Sequence, residues 1–236
     1  VRNNIHKRYL HTQQYKNNPN IELSYRCPLM CSQCFRGWLA KSDDDPKNIA
    51  MKKKIKISQD ISLDDLRKLF DFFKGTVSFC GQFSDPIYHP NFYKILDICT
   101  NEYPSTRFLV HTAAHQKNIE WYKEAFSRCG GNIKWIFGLD GLGDTSAIYR
   151  VNQKSEIVRE AMLLANNTLQ KHMVQWQFII FKHNEHQIEE AKEYATMHNL
   201  DLKFVYTDRV WGNVAPASNQ YRAPGVVKIN KLFLSK

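Results

Sequence analysis

Cys27, Cys31 and Cys34 stand at intervals of four and three residues in the stretch IELSYRCPLMCSQCFR, residues 21–36. Pro28, Ser32 and Gln33 make that stretch a loop, and thiolates so spaced can turn to one face of a metal centre. A structural zinc site wants a fourth thiolate or imidazole. The next histidine downstream is His89, while His6 and His11 lie upstream in an arm whose path the sequence does not give. An iron–sulfur cubane with one iron open to a small molecule matches the number of ligands, and zinc stands as the alternative. The remaining cysteines, Cys80, Cys99 and Cys129, are scattered singly and are read as reduced, mostly buried thiols rather than a disulfide framework.

Other residues could recognise a ligand. Gly81 permits close backbone approach, with an ordinary turn glycine as the plain alternative. Asp85 precedes Pro86 and reads equally as a turn residue. Asp140 ends a strand, where a carboxylate can accept hydroxyls, and Arg150 can grip a carboxylate through its fork or simply form a surface ion pair. Thr112 ends another strand. Gln177 and His183 belong to a later strand segment, where a lone histidine is ordinarily structural.

The elements that must position these residues alternate from residue 21 onward. IELSY (21–25), TVSFC (76–80), RFLVHT (107–112), IKWIFGL (133–139), VQWQFIIF (174–181) and LKFVY (202–206) read as strands. Helical periodicity fills 62–73, with Ser62 and Asp65 as a capping box, and recurs near 91–102, 118–129, 154–169 and 185–198. Strands and helices in this order predict an α/β fold with a parallel sheet, either doubly wound or bent into a full or partial barrel. Ligands of such sheets bind in loops at the C-terminal ends of the strands, where the three cysteines fall. Residues 21–206 read as one domain, with an N-terminal arm at 1–20 and a Pro-, Ala- and Ser-rich extension at 207–236.

The formal charge is +10, part of it in KNIAMKKKIKI at 47–57. A basic surface favours anionic partners such as nucleic acid, nucleotides or acidic peptides, while a charge run by itself is ordinarily a solvated loop. No apolar run is long enough to cross a bilayer and no secretory signal is visible, so a cytoplasmic protein without membrane contact is expected.

CPLMCSQC resembles the cluster-binding loop of the radical S-adenosylmethionine (radical SAM) superfamily. There three cysteines hold a [4Fe-4S] cluster whose fourth iron takes the amino and carboxylate groups of S-adenosylmethionine (SAM). Three later segments resemble the family in the same order. FCGQFSDPIYHPNF (79–92) is similar to its glycine-rich GGEP segment, and GLDGLGDTSAIYR (138–150) to the SLDG segment of peptide-modifying members. WQFIIFKHNEHQIEEAKEYA (176–195) is similar to the following strand and helix of that subgroup.

The resemblance implies a partial TIM barrel, (β/α)6, with parallel strands, and Cys27, Cys31 and Cys34 as cluster ligands. It also implies SAM contacts from Gln33, Phe35, Gly81, Gln82, Asp85, Thr112, Asp140, Arg150 and Gln177. Gln82 and Asp85 jointly would receive the SAM amine, Asp140 the ribose and Arg150 the carboxylate. Gln33 stands where the family usually has an aromatic residue, with Phe35 just after. The GGE element reads Cys80, Gly81, Gln82, and Gly138 replaces the serine of SLDG. The cysteine-rich C-terminal extension of many peptide-modifying relatives is absent, so one cluster is expected. The implied activity is reductive cleavage of SAM and hydrogen abstraction from a peptide or protein side chain, fed by an electron donor such as flavodoxin or ferredoxin. Modification of a nucleotide or RNA, and a non-catalytic metal-binding module that engages nucleic acid, are the alternatives.

Overall fold

The computed structural model describes residues 18–34, 36, 49, 60–73, 75–81, 83–113, 116–207, 214, 215 and 217–221. Phe35, Gln82, residues 1–17, most of the basic run at 47–57 and residues 222–236 lie outside the described residues.

Five parallel strands form one sheet in sequential order: β1 (Thr76–Phe79), β2 (Arg107–Thr112), β3 (Ile133–Gly138), β4 (Val174–Ile180) and β5 (Asp201–Tyr206). Helix α1 (Leu63–Phe72) precedes β1, and α2 (Phe92–Asn101), α3 (Ile119–Ser127), α5 (Ser155–Thr168) and α6 (Ile188–Met197) connect successive strands. A short α4 (Thr145–Tyr149) follows β3 and has no counterpart in the periodicity. The sheet is not closed, as in a partial (β/α) barrel. Among the described residues no helix is long and apolar enough to cross a membrane.

Helix starts follow their side chains. Ser62 Oγ accepts the Asp65 N–H at 3.1 Å and donates to its carboxylate at 2.8 Å, as the capping pattern predicts. Asn118 caps α3 by accepting the Trp121 N–H at 2.9 Å. Alternation along the strands then separates two faces. Phe108, Val110, Trp135, Phe137, Trp176 and Phe178 pack beneath the helices in the main core. Phe126 of α3 meets Trp135 edge-on at 5.0 Å between ring centroids. The opposite, concave face carries His111, Lys134, Ile136, Gly138, Gln175, Gln177, Asp201 and Lys203.

The segment expected as the first strand, 21–25, runs beside β1 but makes only one bridge, Asn20 to Ser78. Ser78 N–H donates to Pro19 and Ile21 N–H to Ser78, at 2.9 and 2.8 Å. The Asn20 side chain then takes over from the backbone, bonding both the N–H and the carbonyl of Cys80. Beyond it, Glu22 reaches Ser84 Oγ at 2.5 Å and Phe83 N–H at 3.3 Å, and Leu23 offers its carbonyl to Ile61 instead of the sheet. These side-chain bonds peel the chain off the ladder, and it runs on to the cysteine loop.

Asn132 ties α2 to the sheet, its Nδ2 lying 2.8, 3.1 and 3.0 Å from the carbonyls of Cys99, Tyr103 and Thr106. Asn132→Ala is expected to lower stability by about 1–3 kcal/mol, the cost of stranding buried acceptors. Urea unfolding with an unchanged midpoint would show that water replaces the amide there.

Candidate active site

The cysteine loop leaves the edge of the sheet and is pinned at both ends. The Asp85 N–H donates to Arg26 at 3.0 Å, tying the start of the loop to the β1 side. Further on, Met30 N–H donates to Val151 at 3.1 Å and Ser32 N–H to Tyr149 at 3.0 Å. The residues flanking Cys31 are thus bonded to the residues flanking Arg150. Within the loop Cys34 N–H closes onto the Cys31 carbonyl at 3.0 Å, and the Arg36 guanidinium donates to the Cys27 carbonyl.

None of the three cysteines forms a disulfide, and all three are half-buried. Burial, with the Asp85 charge adding, pushes Cys27 up to about 12. Burial likewise pushes Cys31 up to about 11, against the pull of Arg150. Cys31 acts on Cys27, and Cys34 acts on Cys31, so the three share one electrostatic neighbourhood. Among the described residues no three His, Cys, Asp or Glu side chains are gathered so as to hold one metal ion. Ser32 Oγ in the loop is buried without a hydrogen-bond partner, as is Tyr88 Oη, whose electrostatic neighbours are Asp85 and Cys27.

Arg150 is the second focus. Its Nε donates to Asp140 Oδ2 at 2.7 Å, its only hydrogen bond among the described residues, so both terminal nitrogens carry none. The guanidinium lies 5.6 Å from the Tyr149 ring centroid. On its other side it covers Gly138, where an added Cβ would come within 2.6 Å of Nη2. A side chain at position 138 would therefore require the guanidinium to move. Burial alone would pull the guanidinium down, but Asp140 and Cys31 hold it above its ordinary value.

Asp140, expected to face a ribose, has no exposed surface, and its carboxylate bonds Arg150 and, through Oδ1, the Ile179 N–H at 2.7 Å. Two buried amides that the sequence did not single out complete this frame. Gln153 Nε2 donates to the carbonyls of Ala113 and Gly138 at 3.0 and 2.9 Å, while its Oε1 accepts from Ser146 Oγ at 2.6 Å. Asn184 Nδ2 donates to the carbonyls of Asp140 and Ile179 at 2.8 and 2.9 Å. Each holds two strand ends together, a long-range pairing that spacing along the chain does not signal.

Asp85 is buried across the sheet from them. It accepts from Thr112 Oγ1 at 2.9 Å, Ala113 N–H at 2.7 Å and Ile87 N–H at 3.3 Å, so Thr112 faces Asp85. Burial pushes Asp85 up to about 6 despite these bonds and the Arg150 charge. Gly81 is required by crowding, since an added Cβ would meet the Ser84 carbonyl at 2.1 Å and Glu22 at 2.5 Å. Glu22 is a further carboxylate at this turn that the motifs did not pick out. Gln33 is buried, its Nε2 donating to Val214 at 3.3 Å. Gln177 stands on the concave face as β4's register partner of Gly138. The expected contacts of Phe35 and Gln82 fall outside the described residues.

No family model and no curated protein matches the chain. Its fold resembles that of SuiB from Streptococcus suis. The SuiB structure bound to S-adenosylmethionine shares 15% identity at a TM-score of 0.63, with 99% of this chain and 51% of SuiB covered. SuiB bound to precursor peptide SuiA gives 13% identity and 0.63, covering 99% and 50%, and a further SuiB structure gives 15% and 0.61 over the same shares. The chain spans about half the length of SuiB, and at these identities the likeness establishes the fold.

His111 is a further residue that the motifs passed over, on the concave face of β2. Burial, with help from the Lys203 charge, pulls it down to about 4. Between its unfolded value of 6.5 and that folded value the unfolded chain binds the extra proton, so this group lowers stability as pH falls through the window. Denaturant unfolding from pH 7 to pH 5 should therefore show a shallower loss in His111→Asn than in the wild type. Parallel losses would place His111 in water.

Proposed function

We propose that this chain is the core of a radical SAM enzyme acting on a peptide or protein side chain. The observation that carries the reading is the pair of bonds from Met30 and Ser32 to Val151 and Tyr149, which set the three-cysteine loop against an arginine with unbonded terminal nitrogens. The residues fit a cluster in that three thiols lie on one loop and act on one another electrostatically, and the loop carries a buried hydroxyl, Ser32 Oγ, that no protein atom among the described residues bonds. Support also comes from the fold likeness to SuiB structures, one bound to S-adenosylmethionine and one to a precursor peptide.

Cys27, Cys31 and Cys34 would hold a [4Fe-4S] cluster, which supplies the electron that cleaves SAM to methionine and a 5′-deoxyadenosyl radical able to take hydrogen from the substrate. Arg150 presents Nη1 and Nη2 to the SAM carboxylate, a bidentate arrangement that fixes orientation as well as charge. Asp140 is assigned to aiming Arg150 rather than to the ribose, because it is fully buried and bonded on both oxygens. Asp85, with Gln82, holds negative potential for the SAM amine, and Thr112 orients Asp85. Gln33, Phe35 and Gly81 are assigned to the remaining cofactor contacts, and Gln177 to the substrate side. The loop and the buried strand ends keep water from the reacting atoms. An external one-electron donor such as flavodoxin or ferredoxin completes the partners.

Anaerobic reconstitution should give one oxygen-sensitive [4Fe-4S] cluster per chain, and Cys27→Ala, Cys31→Ala and Cys34→Ala should each abolish it. Wild-type iron and sulfide content in all three variants would end the cluster assignment.

Arg150→Ala should weaken SAM binding by about 1.5–3 kcal/mol, the scale of a charge-assisted hydrogen bond. Unchanged affinity by calorimetry would remove Arg150 from the site.

A further inference from the structure

On the concave face the polar side chains of β3, β4 and β5 are paired at one end and unpaired at the other. Near the N-terminal ends of the strands, Lys134 Nζ lies 3.1 Å from Asp201 Oδ2, and Gln175 Nε2 lies 2.7 Å from the same oxygen. These three side chains satisfy one another. One step toward the C-terminal ends, Gln177 and Lys203 are register partners, and neither side chain makes a hydrogen bond or ion pair among the described residues. His111, on the same face in the register row of Ile136, Gln175 and Asp201 and within the field of Lys203, makes none either.

Gln177 and Lys203 border the cofactor residues. Gly138 of β3, Gln177 of β4 and Lys203 of β5 form one register row, and the Arg150 guanidinium covers Gly138. With adjacent strands about 4.8 Å apart, the Lys203 backbone stands roughly 10 Å from that of Gly138. A ligand group beside a SAM molecule gripped by Arg150 would meet Gln177 and Lys203 next.

We infer that Lys203, Gln177 and His111 form a subsite for a carboxylate carried by the substrate peptide, an aspartate or glutamate side chain close to the residue acted upon. The donor inventory selects this ligand. Lysine supplies an ammonium, glutamine an amide N–H pair and neutral histidine one ring N–H, and an ionised carboxylate is acceptor-only. One cation with two neutral donors answers a single negative charge, whereas a polynucleotide backbone calls for many lysines and arginines. The chain's formal charge of +10 would steer an acidic peptide toward the protein. The inference rests on the peptide reading of the site.

The test uses the full reconstituted chain and fluorescence anisotropy of two short labelled peptides that differ only in glutamate against glutamine. The wild type should bind the glutamate peptide about tenfold more tightly, the scale at which a charge pair discriminates partners. Lys203→Ala and Lys203→Glu should erase the preference, and Lys203→Arg should keep it. Equal binding of the two peptides by the wild type, or a preference that survives Lys203→Glu, would overturn the subsite. So would a single-stranded RNA oligonucleotide that displaces the glutamate peptide at physiological salt and loses that ability in Lys203→Glu. A wild type that ignores SAM yet prefers the glutamate peptide would end the cofactor reading and leave the subsite standing.

Discussion

A full negative charge with no exposed surface has to be answered atom by atom, and Asp140 is where this chain meets that demand. Its carboxylate takes the Ile179 N–H and the Arg150 guanidinium, its N–H goes to Ser146 and its carbonyl to Asn184. One residue therefore joins the ends of β3 and β4, α4 and the turn after β4. Removing one partner from a buried pair of this kind costs about 3–5 kcal/mol, because the other charge is left unanswered. The cysteine loop inherits the arrangement, since it is bonded to the backbone on either side of Arg150. Gln153 extends it across the sheet by gripping the ends of β2 and β3.

Fixing that frame makes the Cys27 and Cys31 thiols expensive to ionise without a cation beside them. Cys27 and Cys31 sit where burial and neighbouring negative groups both oppose the thiolate, and the backbone at Leu29 and Cys31 with Arg36 and Arg150 only partly offsets them. A metal centre reverses this balance, because its charge is larger than theirs and it binds the deprotonated sulfur. Cluster assembly would then release protons and lock a loop whose two ends are already tied, so the fold prepays much of the ordering. The same logic covers Ser32 and Tyr88, whose buried hydroxyls have no protein partner.

Periodicity carried most of the architecture. All five strands of the sheet and their connecting helices fall within a few residues of their expected places, because each element buries an apolar stripe that recurs at its own period. IELSY shows the limit of that signal, since its pattern is strand-like but Asn20 and Glu22 divert the bonds that a strand would have made. The site was legible where residues lie close in sequence, as with Cys27, Cys31 and Cys34. At Gly138 the sequence showed only a missing serine, while the guanidinium above it would have to shift to admit any side chain. Asp140 and Arg150 were singled out, but their pairing, and the buried roles of Gln153 and Asn184, depend on contacts across strands that no local window contains.

The two faces of the sheet divide the work of folding and recognition. Beneath the helices, Trp135, Trp176, Phe108 and Phe137 are fully buried, so stability resides there and can tolerate polar groups on the other side. On the concave face the polar residues sort by height. Lys134, Asp201 and Gln175 close on one another at the N-terminal end and need nothing further, while Gln177 and Lys203 one step above, and His111 in the row of Gln175, make no side-chain bond among the described residues. A sheet that does not close cannot bury those groups by packing strand against strand across a barrel. Their hydrogen-bonding capacity is instead held at the C-terminal end beside Arg150 and the cysteine loop, where a ligand can satisfy it.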